Sequence, residues 1–335
     1  MWDRGRILVT GGAGFIGSAL IWGLNERGHD RILVADRLDR SSKWRNLAPL
    51  RIDDYIDADA LLASLESLDD VTGVLHMGAC SSTTETDTAF LMRNNVKYTK
   101  TLAEWAVRRG IRFVYASSAA TYGGREGRLS EAMPVESLRP LNAYGFSKQF
   151  FDSYAQRRGL LDRITGLKFF NIFGPNEQHK GDMRSMVDKA YRQIVETGVV
   201  RLFRSGRAEY ADGEQRRDFL YVKDAVAMTL HLAEREAYGL VNVGSGKAHT
   251  WLELMRAVFA AAGREPRIEF IDMPETLRHQ YQYDTCAVLD RLRAAGYDRP
   301  VTPLADAVRD YVQSYLAADL RLGDAVVQRP AGVSA

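Results

Sequence analysis

Tyr144 and Lys148 stand four residues apart in Asn142-Ala143-Tyr144-Gly145-Phe146-Ser147-Lys148. That spacing puts both side chains on one face if the stretch opens a helix. An unperturbed phenol titrates near pH ~10, and a nearby ammonium favours the phenolate, so the pair could serve as an acid/base. The same spacing also describes a solvated helix face, and the surroundings must decide between the two. Ser118 follows the apolar run Arg112-Phe113-Val114-Tyr115-Ala116-Ser117, where ligands collect if that run is a strand of an open parallel sheet. His76, within Val74-Leu75-His76, reads as a satisfied core histidine rather than a ligand.

The elements that must position these groups can be read in order. Arg6-Ile7-Leu8-Val9-Thr10 is a buried-strand pattern, followed by Gly11-Gly12-Ala13-Gly14-Phe15-Ile16-Gly17 and a helical run to about residue 27. Gly11, Gly14 and Gly17 in that context permit a tight turn, close approach to a pyrophosphate and helix–strand packing. A second strand over 31–36 ends in Asp36, where a ribose hydroxyl would be read. Arg37 and Lys43 just beyond it suit a 2′-phosphate or are solvated loop charges, and both readings stand at this level. Helical patterns follow at 59–68 and 88–109, the latter carrying Asn94 and Asn95. Between them, the strand at 74 runs into small residues, Gly78 to Ser82, that let backbone approach a flat ligand.

Strand patterns at 112–117 and 164–170 continue the alternation, which predicts an α/β fold: a Rossmann-type doubly wound parallel sheet with a smaller α/β C-terminal substrate lobe. The expected division is a dinucleotide-binding domain over 1–174, to which about 218–248 return, and a substrate-binding lobe over 175–318. Helices are expected at 223–236, 251–262 and 302–317, strands at 240–243 and 268–271, and a frayed tail over 319–335. The stretch 202–219 could project arginines at a phosphate-bearing substrate.

The 335 residues, 46% hydrophobic and 26% charged with a net charge of +2, suit a globular protein with a sizeable core. Basic residues are scattered and balanced by acids, which argues against a nucleic-acid stripe. Two cysteines, Cys80 and Cys286, exclude a disulfide framework and fit a reducing compartment. No apolar run reaches membrane-spanning length and a strand begins almost at once, so a cytoplasmic location and no membrane partner are expected.

Gly11/Gly14/Gly17, Ser118 before Thr121-Tyr122-Gly123, and Tyr144-x-x-x-Lys148 together resemble the extended short-chain dehydrogenase/reductase superfamily. Four strings narrow the resemblance to its ADP-L-glycero-D-manno-heptose 6-epimerase family: Gly78-Ala79-Cys80-Ser81-Ser82-Thr83-Thr84-Glu85, Ala116 through Gly124, Pro140-Leu141-Asn142, and His179-Lys180-Gly181. The similarity extends from about residue 6 to about 316 and includes Arg217-Asp218-Phe219. It implies an epimerase that inverts C6 of an ADP-activated heptose for the lipopolysaccharide core, through transient oxidation by a tightly held nicotinamide cofactor. The nearest alternative is another nucleotide-sugar epimerase or dehydratase. A 4,6-dehydratase needs an acid pair beside the serine, where this chain has Ala119-Ala120.

By that resemblance Tyr144 is one acid/base, Lys148 lowers its pKa and holds the nicotinamide ribose, and Ser118 hydrogen-bonds the reacting oxygen. Lys180 is the second acid/base; from its residue type alone it is equally a phosphate contact or a surface charge. Cofactor contacts map to Phe15, Ile16, Asp36, Arg37, Lys43, Met77, Gly78, Ala79, Cys80, Ser81, Asn94 and Ile172, besides the glycines, Tyr144, Lys148 and Lys180. Substrate contacts map to Ser81, Ser82, Asn171, Phe203, Arg217 and Tyr281, with no metal implied. NADP is the expected cofactor with NAD as the fallback, and the resemblance implies a homo-oligomer, with a pentamer as the suggested order. Met77, Arg37, Asp182 and Asp188 depart from the family pattern. The two acids would repel a diphosphate unless they face away or pair with arginines such as Arg184.

Overall fold

The computed structural model describes residues 5–235, 237–278 and 281–325. Seven strands form the central sheet: β1 (Arg6–Thr10), β2 (Ile32–Asp36), β3 (Asp54–Asp57), β4 (Val71–His76), β5 (Arg112–Ser118), β6 (Ile164–Phe169) and β7 (Gly239–Val243). Their order is β7-β6-β5-β4-β1-β2-β3 and every pairing is parallel. A parallel sheet must be covered on both faces, which explains why its strands read as continuous apolar runs. Along β1 the side chains alternate between two cores: Ile7 and Val9 join one cluster, Leu8 the other. The doubly wound parallel sheet expected from the sequence is therefore the fold that forms.

The main helices are α1 (Phe15–Asn25), α2 (Tyr98–Arg108), α3 (Ala143–Arg157), α4 (Met186–Thr197), α5 (Val222–Glu234) and α6 (Trp251–Ala261). Because the strand order reverses between β1 and β4, a crevice opens above their carboxyl ends. Around it lie smaller sheets. Asn171–Phe173, Arg216–Tyr221 and Ala248–Thr250 make one of three strands, and Val200–Phe203 pairs in parallel with Ile268–Ile271.

Several elements differ from the sequence reading. β3 is a short, charged outer strand with no apolar run to announce it. The expected 88–109 helix is interrupted by a π-helical turn, Met92–Lys97, which turns Asn95 inward; such turns mark functional positions. The last helix likewise divides into Leu304–Asp310 and a π-helical Tyr311–Leu316.

The stretch from 319 is not frayed through 325. Leu322 is fully buried, its N–H donates to Asn176 Oδ1 at 2.9 Å, and Gln178 Nε2 donates to the Leu320 carbonyl at 3.1 Å. A single apolar anchor with backbone bonds suffices to dock a terminus, and that signal is invisible in composition. The remainder of the expected tail, 326–335, lies outside the described residues. Among the described residues no helix is long and apolar enough to cross a membrane.

Candidate active site

The crevice holds a cavity of ≈ 950 Å³. Its floor is the loop between β1 and α1. Gly11 has φ +65°, and a Cβ there would lie 2.7 Å from Gly78 Cα; a Cβ at Gly17 would lie 2.1 Å from the Gly11 carbonyl oxygen. Only glycine permits this approach of backbone to backbone. It leaves the start of α1 facing the cavity, as a pyrophosphate requires. Asp36 ends β2: its Oδ2 accepts from Ala13 N at 2.8 Å, and its Oδ1 from Arg37 N at 2.7 Å and Lys43 Nζ at 3.0 Å. Arg37 folds back instead, with Nε 3.0 Å from Asp59 Oδ1 and Nη1 3.0 Å from Asn94 Oδ1. The glycine cradle and the acid at the end of β2 fit a nicotinamide dinucleotide.

Opposite this floor, Ser118 closes β5. Tyr144 and Lys148 enter from α3, whose first turn is capped by Asn142 Oδ1 accepting from Gly145 N at 2.8 Å. A Cβ at Gly145 would stand 2.8 Å from the Ala120 carbonyl oxygen, so glycine lets the helix close onto the Ser118 loop. Ser118 Oγ accepts from Ala120 N at 3.1 Å, and the serine stands beside the Tyr144 hydroxyl, whose pKa it lowers. Lys148 Nζ donates to the Ala116 carbonyl at 2.8 Å and lies 6.0 Å from the Tyr144 ring centroid. The expected lowering of the phenol's pKa by the ammonium does not occur: burial raises Tyr144, Ser118 opposes the rise, and burial lowers Lys148 to about 8. Desolvation is the largest cause at both groups, because charge of either sign is costly in a buried pocket.

A charged network that the sequence reading missed lies one turn further along α3. Asp152 is fully buried; its Oδ1 accepts from Tyr115 OH at 2.8 Å, and its Oδ2 from Ser117 Oγ at 2.7 Å and Lys168 Nζ at 3.2 Å. Lys168 also donates to Thr121 Oγ1 at 2.6 Å. These bonds join β5, β6, α3 and the turn after Ser118. The four-residue step from Lys148 to Asp152 was the available signal.

Lys180 comes from another wall, on the loop of short helical turns Gln178–Met183, with Nζ 5.4 Å from the Phe15 ring centroid. Burial, chiefly, and then Lys189 push its pKa down, while Glu177 opposes them. Neighbouring His179, in a string read from the sequence but given no role there, also lines the cavity; burial lowers it to about 4, so it is neutral. His76 fits its expected core role, held between Thr10 Oγ1 at 2.6 Å and Thr99 Oγ1 at 2.8 Å.

The cavity wall gathers Ser118, Tyr144, Lys148 and Lys180 with every residue expected to contact the cofactor, and with Asn171, Phe203 and Tyr281. Ser82 and Arg217 do not line it. Ser82 Oγ turns to Thr84 Oγ1 at 3.0 Å. Arg217 is buried behind the wall, its guanidinium 5.0 Å from the Tyr281 ring centroid and 5.8 Å from that of Trp251, two rings that do line the cavity. Tyr98, Trp251 and Gln282 are wall residues that the sequence did not single out.

Three arginines of the 202–219 stretch are paired with acids: Arg204, Arg207 and Arg216 with Asp212, Glu126 and Asp284 at 3.1, 2.6 and 2.7 Å. Of the two unexpected acids, Asp182 is exposed, and buried Asp188 is held by Arg184 at 3.1 Å and Arg192 at 2.7 Å. The pairing with Arg184 that would relieve repulsion is present. Among the described residues no His/Cys/Asp/Glu cluster could hold a metal.

The model of the NAD dependent epimerase/dehydratase family matches residues 7–244. The chain belongs to this family. It is 53% identical, over 93% of its length and 98% of the relative's, to the ADP-L-glycero-D-manno-heptose-6-epimerase of Nitratidesulfovibrio vulgaris strain DP4. The crystal structure of the Helicobacter pylori ADP-L-glycero-D-manno-heptose-6-epimerase superimposes with a TM-score of 0.80 at 26% identity, covering 93% of this chain and 96% of that one. MoeE5 in complex with UDP-glucuronic acid and NAD gives a TM-score of 0.76 at 25% identity, covering 94% of this chain and 100% of that one. Fold and a nicotinamide dinucleotide requirement follow from this membership.

Proposed function

We propose that the chain epimerises ADP-D-glycero-β-D-manno-heptose and ADP-L-glycero-β-D-manno-heptose at C6, with Tyr144 and Lys180 as two acid/bases on different walls of one cavity. The observation that carries this reading is that Ser118, Tyr144 and Lys148 share a single cavity with Lys180, in a chain 53% identical to a heptose 6-epimerase.

The C6 hydrogen belongs to a secondary alcohol without a neighbouring carbonyl, so direct proton removal would leave an unstabilised carbanion. The dinucleotide, when bound, supplies a reversible hydride acceptor. Gly11, Gly14, Gly17 and the start of α1 would hold its pyrophosphate, and Asp36 and Lys43 its adenosine ribose. Tyr144 or Lys180, according to which face of the sugar is presented, takes the hydroxyl proton; once the ketone has turned its other face, the residue on the opposite wall gives a proton to the epimeric oxygen, and solvent resets both groups. Ser118 steadies the oxygen between these events, since it lines the cavity beside Tyr144. Arg217 supports the substrate wall through Tyr281 and Trp251, rather than by lining the cavity.

Arg37 and Lys43 beside Asp36 favour NADP over NAD. Identifying the nucleotide released on denaturing the purified protein tests this choice. Residues 1–174 and about 218–248 act as the dinucleotide-binding domain and 175–318 as the substrate lobe, in a cytoplasmic homo-oligomer whose order sedimentation would give. The activity is tested by incubating the protein with ADP-D-glycero-β-D-manno-heptose and resolving the C6 epimer by NMR. Conversion is expected, and none with the dinucleotide bound would overturn the reading.

A further inference from the structure

The loop that presents Lys180 contains a carboxylate without an assigned role. Glu177 is 1% exposed. Its Oε1 accepts from Gly174 N at 3.3 Å and from Ser185 Oγ at 2.6 Å, while its Oε2 accepts from Ser185 N at 2.5 Å. One side chain thus grips both ends of the 174–185 loop, and Ser185 is also the residue that caps α4. Within the loop, Lys180 N donates to the Glu177 carbonyl at 2.9 Å, and Gly181, at φ +54°, turns the chain immediately after the lysine.

We propose that Glu177 is a positioning residue for Lys180: its carboxylate closes the loop and holds the amine against Phe15 at the cavity wall. The inference rests on the reading of Lys180 as an acid/base. A buried carboxylate without a partner cation at hydrogen-bond range is costly, and here three donors from Gly174 and Ser185 compensate it. The charged and titratable groups around the pair are few. Glu177 on the same loop and Lys189 on α4 act on Lys180, and the adjacent His179, neutral, feels its charge. Tyr311, from the π-helical segment, faces Glu177 and Asp188, the latter neutralised by Arg184 and Arg192. With the carboxylate gone, the repulsion from Lys189 is unopposed and the loop loses one of its grips, because an amide has a single acceptor oxygen.

The test uses holoenzyme carrying Glu177→Gln, Lys180→Met or both. Epimerisation kinetics are measured alongside the pH dependence of Lys180 acylation by acetic anhydride, read by peptide mass spectrometry. Glu177→Gln is expected to reduce kcat by about tenfold or more, with KM within about twofold, because misplacing a reacting group is costly. Its Lys180 acylation midpoint should fall by roughly half a pH unit or more, since a favourable negative charge is lost. The double variant should match Lys180→Met. An acylation midpoint that stays or rises, or a Glu177→Gln penalty that persists in full beside Lys180→Met, overturns the proposal. Should Lys180→Met epimerise normally, the acid/base reading fails, and the acylation midpoint still decides the positioning role. If Glu177→Gln does not fold, Ser185→Ala, which removes one donor and keeps the carboxylate, should lower kcat a few-fold (~2–5) but not beside Lys180→Met.

Discussion

Two walls of the cavity present a lysine, and they are built by different means. Lys148 rises from a regular helix, its amine fastened to the Ala116 carbonyl of β5, with the Asp152–Lys168 network bracing strand and helix beneath it. Lys180 hangs on a loop of broken turns, and its place depends on Glu177, on Asn176 and on the docked 320–322 stretch. The first arrangement stores its precision in local regular structure. The second stores it in contacts between residues far apart in sequence, so each wall should fail in its own way.

The largest effects are expected at the reacting groups. Tyr144→Phe and Lys180→Met should each slow epimerisation by about 10²–10⁴-fold, the usual worth of a positioned acid/base, with dinucleotide binding retained as judged by fluorescence titration. Unequal losses would show that one wall does most of the proton transfer.

Below them come substitutions that separate the two frameworks. Lys168→Met strands the fully buried Asp152 and should cost about 3–5 kcal/mol in urea unfolding. Leu322→Ala should cost about 2–5 kcal/mol if the terminus unfolds with the whole chain. Should the terminus detach first, epimerisation should fall before global stability does, which would mark the Lys180 wall as the looser one.

A pH dependence isolates Lys148. Below about pH 8 its amine is protonated in both folded and unfolded chains; between about 8 and the ordinary 10.5 the unfolded chain alone keeps the proton. Stability should therefore rise with pH across that window by roughly 3 kcal/mol from this group and level off above it. Lys148→Met should abolish that component in urea unfolding curves measured from pH 7 to 11.

The smallest effect concerns cofactor choice. Arg37 and Asp59 form an exposed pair, and such pairs contribute about 0–1 kcal/mol. Arg37→Ala should thus leave stability nearly unchanged while weakening NADP relative to NAD by a few-fold (~3–10) in titration calorimetry. An unchanged ratio would remove Arg37 from cofactor selection.

Much of the Lys148 wall was legible in the sequence because its determinants are local. A glycine fingerprint must follow a strand, an N-cap asparagine must precede a helix, and a four-residue step must align two side chains. Asp152 escaped notice because its partners Tyr115, Ser117 and Lys168 come from two strands, and the four-residue step from Lys148 announces a shared helix face but not a shared burial site. Arg217, expected as a substrate contact, packs behind Tyr281 and Trp251 in the structure.

The sequence by itself determined the parallel sheet, the dinucleotide cradle and the helix carrying Tyr144 and Lys148, since periodicity and glycine sterics act over a few residues. Tertiary structure alone decided three things: that burial rather than the cation governs Tyr144, that Asp188 is neutralised by Arg184 and Arg192, and that the 319–325 stretch docks beside the Lys180 loop. Desolvation and charge pairing depend on what surrounds a residue in space, and a linear pattern of residue types carries that information only where the neighbours are also neighbours in the chain.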